Sequence, residues 1–197
     1  MHRDRIIFCG IDLAGSEKRI SGIAFMNLNL EVFCYSVYTN NEILDLVEKN
    51  NPKFIFIDAP LSLPKDRKSL EKVSNIHFRK CDLELKKLKI KFFPITLGPM
   101  RMLTMRGILL KKLLSKKGRI VKETFPGAFY DLKNLKRRNL EEIYNFFQSV
   151  GLRFLTKIRN IHEMDAITCV FIAYLYYNGR AKEIGEKKEG TIVIPAD

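Results

Sequence analysis

Two apolar runs, IIFCGIDLAGS and KFIFIDAPLSLP, have the length and the β-branched and aromatic composition of strands, and both are bounded by Gly or Pro. Residues 6–12, 20–27 and 30–38 read as three strands of an antiparallel meander. The second turn falls at Leu28-Asn29, with Asn29 the residue able to take a positive φ. The segment NNEILDLVEKN places Ile43, Leu44 and Val47 on one face behind an Asn cap, which predicts a short amphipathic helix. It leads into a strand from Lys53 to Asp58. A strand, a crossover helix and a further strand normally make a right-handed parallel connection, so the fourth strand is expected beside the first, running the same way.

Beyond DAPLSLP the pattern turns helical and basic. Lys68 to Lys89 and Gly98 to Lys116, separated by the loop FFPITLGP, are expected as a helical insertion, over about residues 65–118, packed on one side of the sheet. Arg119 to Glu123 reads as a fifth strand stopped by Pro126, Ala128 to Val150 as one or two helices, and EGTIVIP as a short late strand. A long helix begins near His162 and is apolar almost all round from Ala166 to Tyr177, which implies burial on most sides. With no internal repeat or linker, residues 1–197 are expected to form a single α/β domain: a mixed five-stranded sheet, antiparallel meander plus parallel strands, flanked by helices.

Charge narrows the partners. Lys+Arg 35 against Asp+Glu 22 gives a net charge of +13, a field that draws a polyanion such as nucleic acid or an anionic membrane surface. The longest apolar stretch, Ala166 to Tyr177, is too short to cross a bilayer, and the N-terminal apolar run suits a first strand better than a secretory signal. No membrane association and a cytoplasmic location are the expectations. Cys9, Cys34, Cys81 and Cys169 form no CxxC pair, so they read as small apolar residues.

The candidate chemistry lies at the ends of these elements. Asp12 and Asp58 each close a strand, and on parallel neighbours their positions would be about 4.8 Å apart, near enough to hold one cation. A turn Asp is commonly structural, but binding sites in α/β sheets gather beyond the carboxyl ends of strands. Asp165 and Glu163 open the apolar helix, where the helix dipole alone would favour a negative charge. The burial expected for that helix nonetheless turns Asp165 toward the sheet or a pocket. His162 shares its face at the i, i+3 spacing and is a secondary candidate with Glu163. Glu123 ends the fifth strand, and a fourth acid at the same place would repel the others unless cations neutralised them, so divalent metal is the economical expectation. In the insertion Arg79, Arg101 and Arg106 are candidate phosphate binders, against the plainer reading of a solvated helix face.

The order of three meander strands, a helix, a fourth strand ending in an acid, a fifth strand and a late acid-bearing helix resembles the RNase H-like superfamily. More narrowly, GIDLAGS, FIDAPLSLP, FRKCDLELKKLKIKFFP, GPMRMLTMRG, KETFPGAF, HEMDAITCVFIAYLYYNG and EGTIVIP resemble domain of unknown function family 429, predicted RNase H-like nucleases. That resemblance implies Asp12, Asp58, Glu123 and Asp165 as catalytic, metal-binding acids for two Mg²⁺ or Mn²⁺ ions. It makes His162 and Asp165 similar to the HxxD pair of some Holliday-junction resolvases. Those resolvases usually carry Glu where this chain has Asp58. The implied activity is metal-dependent hydrolysis of nucleic-acid phosphodiesters, with homodimerisation left open. The alternatives are a noncatalytic nucleic-acid-binding module of the same fold and a phosphotransferase of the sugar kinase and actin type. The latter needs a second domain and adenosine-binding glycine motifs that this chain lacks.

Overall fold

The computed structural model describes residues 5–196. The chain runs β1 (Phe8–Asp12), β2 (Ser21–Met26), β3 (Glu31–Val37), α1 (Asn40–Asn50), β4 (Phe54–Asp58), α2 (Lys80–Lys87), α3 (Gly98–Leu114), β5 (Ile120–Thr124), α4 (Pro126–Leu132), α5 (Leu140–Ser149), β6 (Arg153–Phe154), α6 (Ile161–Tyr177), β7 (Ala181–Glu186) and β8 (Gly190–Pro195). All strands join one mixed sheet in the order β6-β3-β2-β1-β4-β5-β8-β7. The expected meander and parallel strands form its centre: β1 pairs antiparallel with β2 and parallel with β4, and β4 pairs parallel with β5.

Three strands extend the sheet beyond the expected five. EGTIVIP becomes β8 beside β5, β7 returns antiparallel on β8, and the two-residue β6 adds to β3. Two local expectations are corrected. Most of Lys68 to Lys89 is irregular, and only Lys80–Lys87 is helical. In the turn after β2 the positive φ belongs to Leu30, not Asn29. The Asn27 side chain supports that turn by accepting from the backbone amides of Asn29 and Glu31.

Side-chain alternation divides the sheet between two cores. On one face Phe8, Ala24, Met26 and Phe56 meet Ala166, Ile167 and Val170 of α6, with α4 and α5 outside it. On the other, Cys9, Ile11, Ile23, Phe25, Ile55 and Ile57 pack under Ile43 and Val47 of α1 and Leu110 and Leu114 of α3. A third cluster joins α2 and α4 to β7 and β8 through Cys81, Leu85, Ile184 and Ile192.

Two glycines set how closely α6 lies on the sheet. A Cβ at Gly10 would collide with the Ala166 carbonyl and the Val170 amide, and one at Gly22 with the His162 carbonyl. Gly22 is the register partner of Asp12. The absence of these two carbons therefore seats the first turn of α6 directly over the end of β1.

Candidate active site

Asp12 and Asp58 are register partners at the ends of parallel strands. Both belong to the sheet face that carries α6, because they follow Phe8 and Phe56 at even spacing and those residues pack under that helix. α6 brings Asp165 and His162 to the same place. Removal from water raises the proton affinity of Asp58 well above the usual carboxylate range, and the charges of Asp12, Asp165 and Glu123 push it further the same way. Asp165 is pushed up to about 7, first by burial and then by the Asp12 charge. Among the described residues no hydrogen-bond donor reaches the Asp58 carboxylate.

The other two acids are each held on one oxygen. Nδ1 of His162 lies 2.7 Å from Oδ2 of Asp12, and the Tyr130 hydroxyl donates to Oδ1 of Asp165 at 2.6 Å. The same hydroxyl is 2.7 Å from Oγ1 of Thr168. The Asp12 carboxylate raises the pKa of His162, while burial raises that of Asp12 against the opposing pull of the imidazole. The His162 side chain remains 44% exposed, so the imidazole is held at one nitrogen and reaches solvent with the rest of the ring.

Glu123 does not join this group. β5 pairs with β4 so that Thr124 faces Asp58 and Glu123 faces Ile57, one residue out of phase. Consecutive strand residues alternate sides: Lys122 lies over the Tyr176 ring of α6, and Glu123 turns to the opposite face. There both its oxygens are taken by Arg79 at 2.7 Å, and the Leu61 amide adds a third bond. The sequence counts Glu123 among the expected metal-binding acids; the structure pairs it with Arg79, one residue out of phase with Asp58.

Two of the three candidate arginines have internal partners. Arg79 is 1% exposed and committed to Glu123 and Asp82. Arg106 is buried and donates to Asn40 and to the carbonyls of Ala14 and Tyr38, bracing the segment after Asp12 from α3. Arg101 is half-buried on the first turn of α3 and forms no ion pair among the described residues. Glu163 is 1% exposed and accepts from Ser36 and the Arg159 amide, so it ties α6 to β3 and does not face the other acids.

Sequence reasoning missed Tyr130 and Arg137. Tyr130 had a signal: a phenol inside an apolar helical segment needs a partner for its hydroxyl once buried. Arg137 had none. It is held by Asp131 and the Lys91 carbonyl, and its charge lowers the proton affinities of Asp58 and Asp165.

Three neighbouring carboxylates, with the charge of Asp12 raising the proton affinities of Asp58 and Asp165 and with Asp58 lacking any donor, suit a divalent cation better than a buried ion pair. As the side chains stand, no three His, Cys, Asp or Glu residues among those described are grouped to hold a single ion. No helix of the described residues is long and apolar enough to cross a membrane.

Comparison with known proteins gives the fold. No protein-family model and no curated protein matches the chain, so the narrower family resemblance rests on its motifs alone. Among solved structures, T. thermophilus RuvC in complex with a Holliday junction substrate is similar at 13% identity and a TM-score of 0.51, over 90% of this chain and 98% of that one. The architecture is thus a mixed α/β, RNase H-like fold of the kind seen in RuvC.

Proposed function

We propose that this protein is a metal-dependent nuclease that hydrolyses phosphodiester bonds of nucleic acid. The observation that carries the reading is the in-register pairing of Asp12 with Asp58 beneath Asp165, three acids that no arginine neutralises directly. The fold supports it, and so does the net charge of +13, which favours a polyanionic substrate.

Asp12, Asp58 and Asp165 would hold Mg²⁺ or Mn²⁺, two ions in the reading favoured here, and bound cations supply Lewis acidity toward a phosphate and toward an attacking water. The remaining work belongs to the chain. Tyr130 fixes one oxygen of Asp165 and leaves the other available. Asp12 orients the imidazole of His162 through Nδ1 and favours its protonated form, so His162 can deliver a proton to a departing oxygen near neutral pH. Gly10 and Gly22 hold α6 near enough for all of these contacts.

The test is purified protein with Mg²⁺ or Mn²⁺ on single-stranded, duplex, hybrid and branched substrates. The branched one is included because the similar solved protein is bound to a Holliday junction. Metal-dependent cleavage lost in Asp12→Asn is the expected result. Cation binding by calorimetry without cleavage of any substrate would leave a noncatalytic nucleic-acid-binding module.

A further inference from the structure

A cavity of about 430 Å³ opens beside Asp58, between the end of the sheet and the insertion, and none of the catalytic roles above uses it. Its volume is that of a small-molecule site. Its walls are mainly apolar, and two of them are aromatic rings with fixed orientations. Phe92 is set edge-on against Phe78 at 6.1 Å, and Phe125 lies 5.4 Å beneath the guanidinium of Arg137. Leu85 and Ile95, both buried, close the interior. Lys91 contributes a positive charge at the rim, Arg137 is paired with Asp131, and the acids that also line the cavity, Glu123 and Asp82, share the single guanidinium of Arg79.

A planar apolar group matches these walls, with Lys91 placed to meet the phosphate that carries it. We infer that the cavity receives a nucleobase, unstacked from its neighbours, of the nucleotide whose phosphate lies at Asp58. This rests on the nuclease reading for its orientation, because Asp58 stands at the cavity wall and a phosphate bound there leaves its own nucleoside within reach. Extruding a base costs least where it is already unpaired, so the site selects single-stranded or branched nucleic acid over continuous duplex. Stacking on aromatic walls tolerates any base, so preference follows pairing state more than sequence.

The probe is a short oligonucleotide with 2-aminopurine at one position and non-bridging phosphorothioates around it, titrated into the full chain with Ca²⁺ in place of Mg²⁺ or Mn²⁺, so that the acids are neutralised and binding is read apart from cleavage. Burial in the cavity changes the fluorescence of that base. Replacing the nucleoside at that position by an abasic residue should weaken binding by about 10- to 100-fold. Filling the cavity with Leu103→Phe should abolish the difference between the two oligonucleotides. Phe125→Leu, which removes a ring and keeps apolar bulk, should reduce it if the first variant does not fold. Competition by a free mononucleotide as strong as that by the strand would identify the mononucleotide as the source of the base.

Equal affinity for base-bearing and abasic strands, or an unchanged difference in a folded Leu103→Phe protein, overturns the inference. The two readings fail separately. A base preference in a protein that cuts nothing removes the nuclease and keeps the cavity; cleavage without base preference does the reverse.

Discussion

Two groups of buried acids lie on opposite faces of the same sheet end, and their surroundings differ in one respect. Glu123 and Asp82 share the guanidinium of Arg79, which satisfies both carboxylates through several short bonds and is itself held charged by them. Asp12, Asp58 and Asp165 have an imidazole, a phenol and a more distant arginine. The first group is complete and ties the insertion to β5. The second is left with repulsion that folding does not relieve, and such tension between like charges is characteristic of a site awaiting a cation. The number of acids does not distinguish the groups; the partner supplied with them does.

The sharpest test of that contrast is Asp12→Asn, which keeps the shape and removes one charge from the open group. Cleavage should fall on the order of 10⁴-fold, roughly 5 kcal/mol of barrier, while the melting temperature holds or rises. A variant that cuts at the wild-type rate would place the activity elsewhere.

Arg79→Ala does the opposite, stranding two buried carboxylates in the closed group. Chemical denaturation should show a loss of about 4 kcal/mol. A loss below about 1 kcal/mol would mean that the pair is not a structural tie.

The open group should also set a pH dependence of its own. Asp165 has a folded pKa of about 7, above its unfolded value, so the folded state binds the extra proton and is favoured at low pH. That contribution is lost as pH rises from about 4 through 7. Asp58 and the raised His162 act in the same direction. Comparing wild type with Asp165→Asn in EDTA isolates the effect: the variant should gain on the order of 2 kcal/mol relative to wild type across that window. Saturating Mg²⁺ should shrink the gain, and a pH-independent difference would refute the assignment.

Tyr130→Phe is the mildest of the set. Losing one hydrogen bond to Asp165 should cost about 1 kcal/mol and move the acid limb of the activity profile upward in pH, because the phenol lowers the proton affinity of Asp165. A pH–rate profile that stays in place would show the hydroxyl to be mere packing.

The sequence carried the central part of this picture because strand ends and helix starts leave strong marks. The Gly and Pro punctuation after Asp12 and Asp58 located both acids, and the apolar helix located Asp165 beside them. Glu123 shows the limit. Placing it required register, and a shift of a single residue sends a strand side chain to the other face. Arg79 shows another, since its partners are 3 and 44 positions away and no local pattern announces the longer pairing. Arg106 was more readable: with Gly107, Leu110 and Leu114 it lies on the buried stripe of α3, where an arginine must find internal acceptors. The edge strands escaped because β6 has only two residues and β7, AKEIGE, lacks apolar alternation.

The contact of α6 with Gly10 and Gly22 gives the acid cluster a vulnerability unrelated to its chemistry. A single added methyl at either position would wedge the helix away from β1, and every acid, the imidazole and the phenol would still be present in the sequence. A census of functional groups would count such a protein as intact, yet its acids would no longer meet, because what it had lost was empty space.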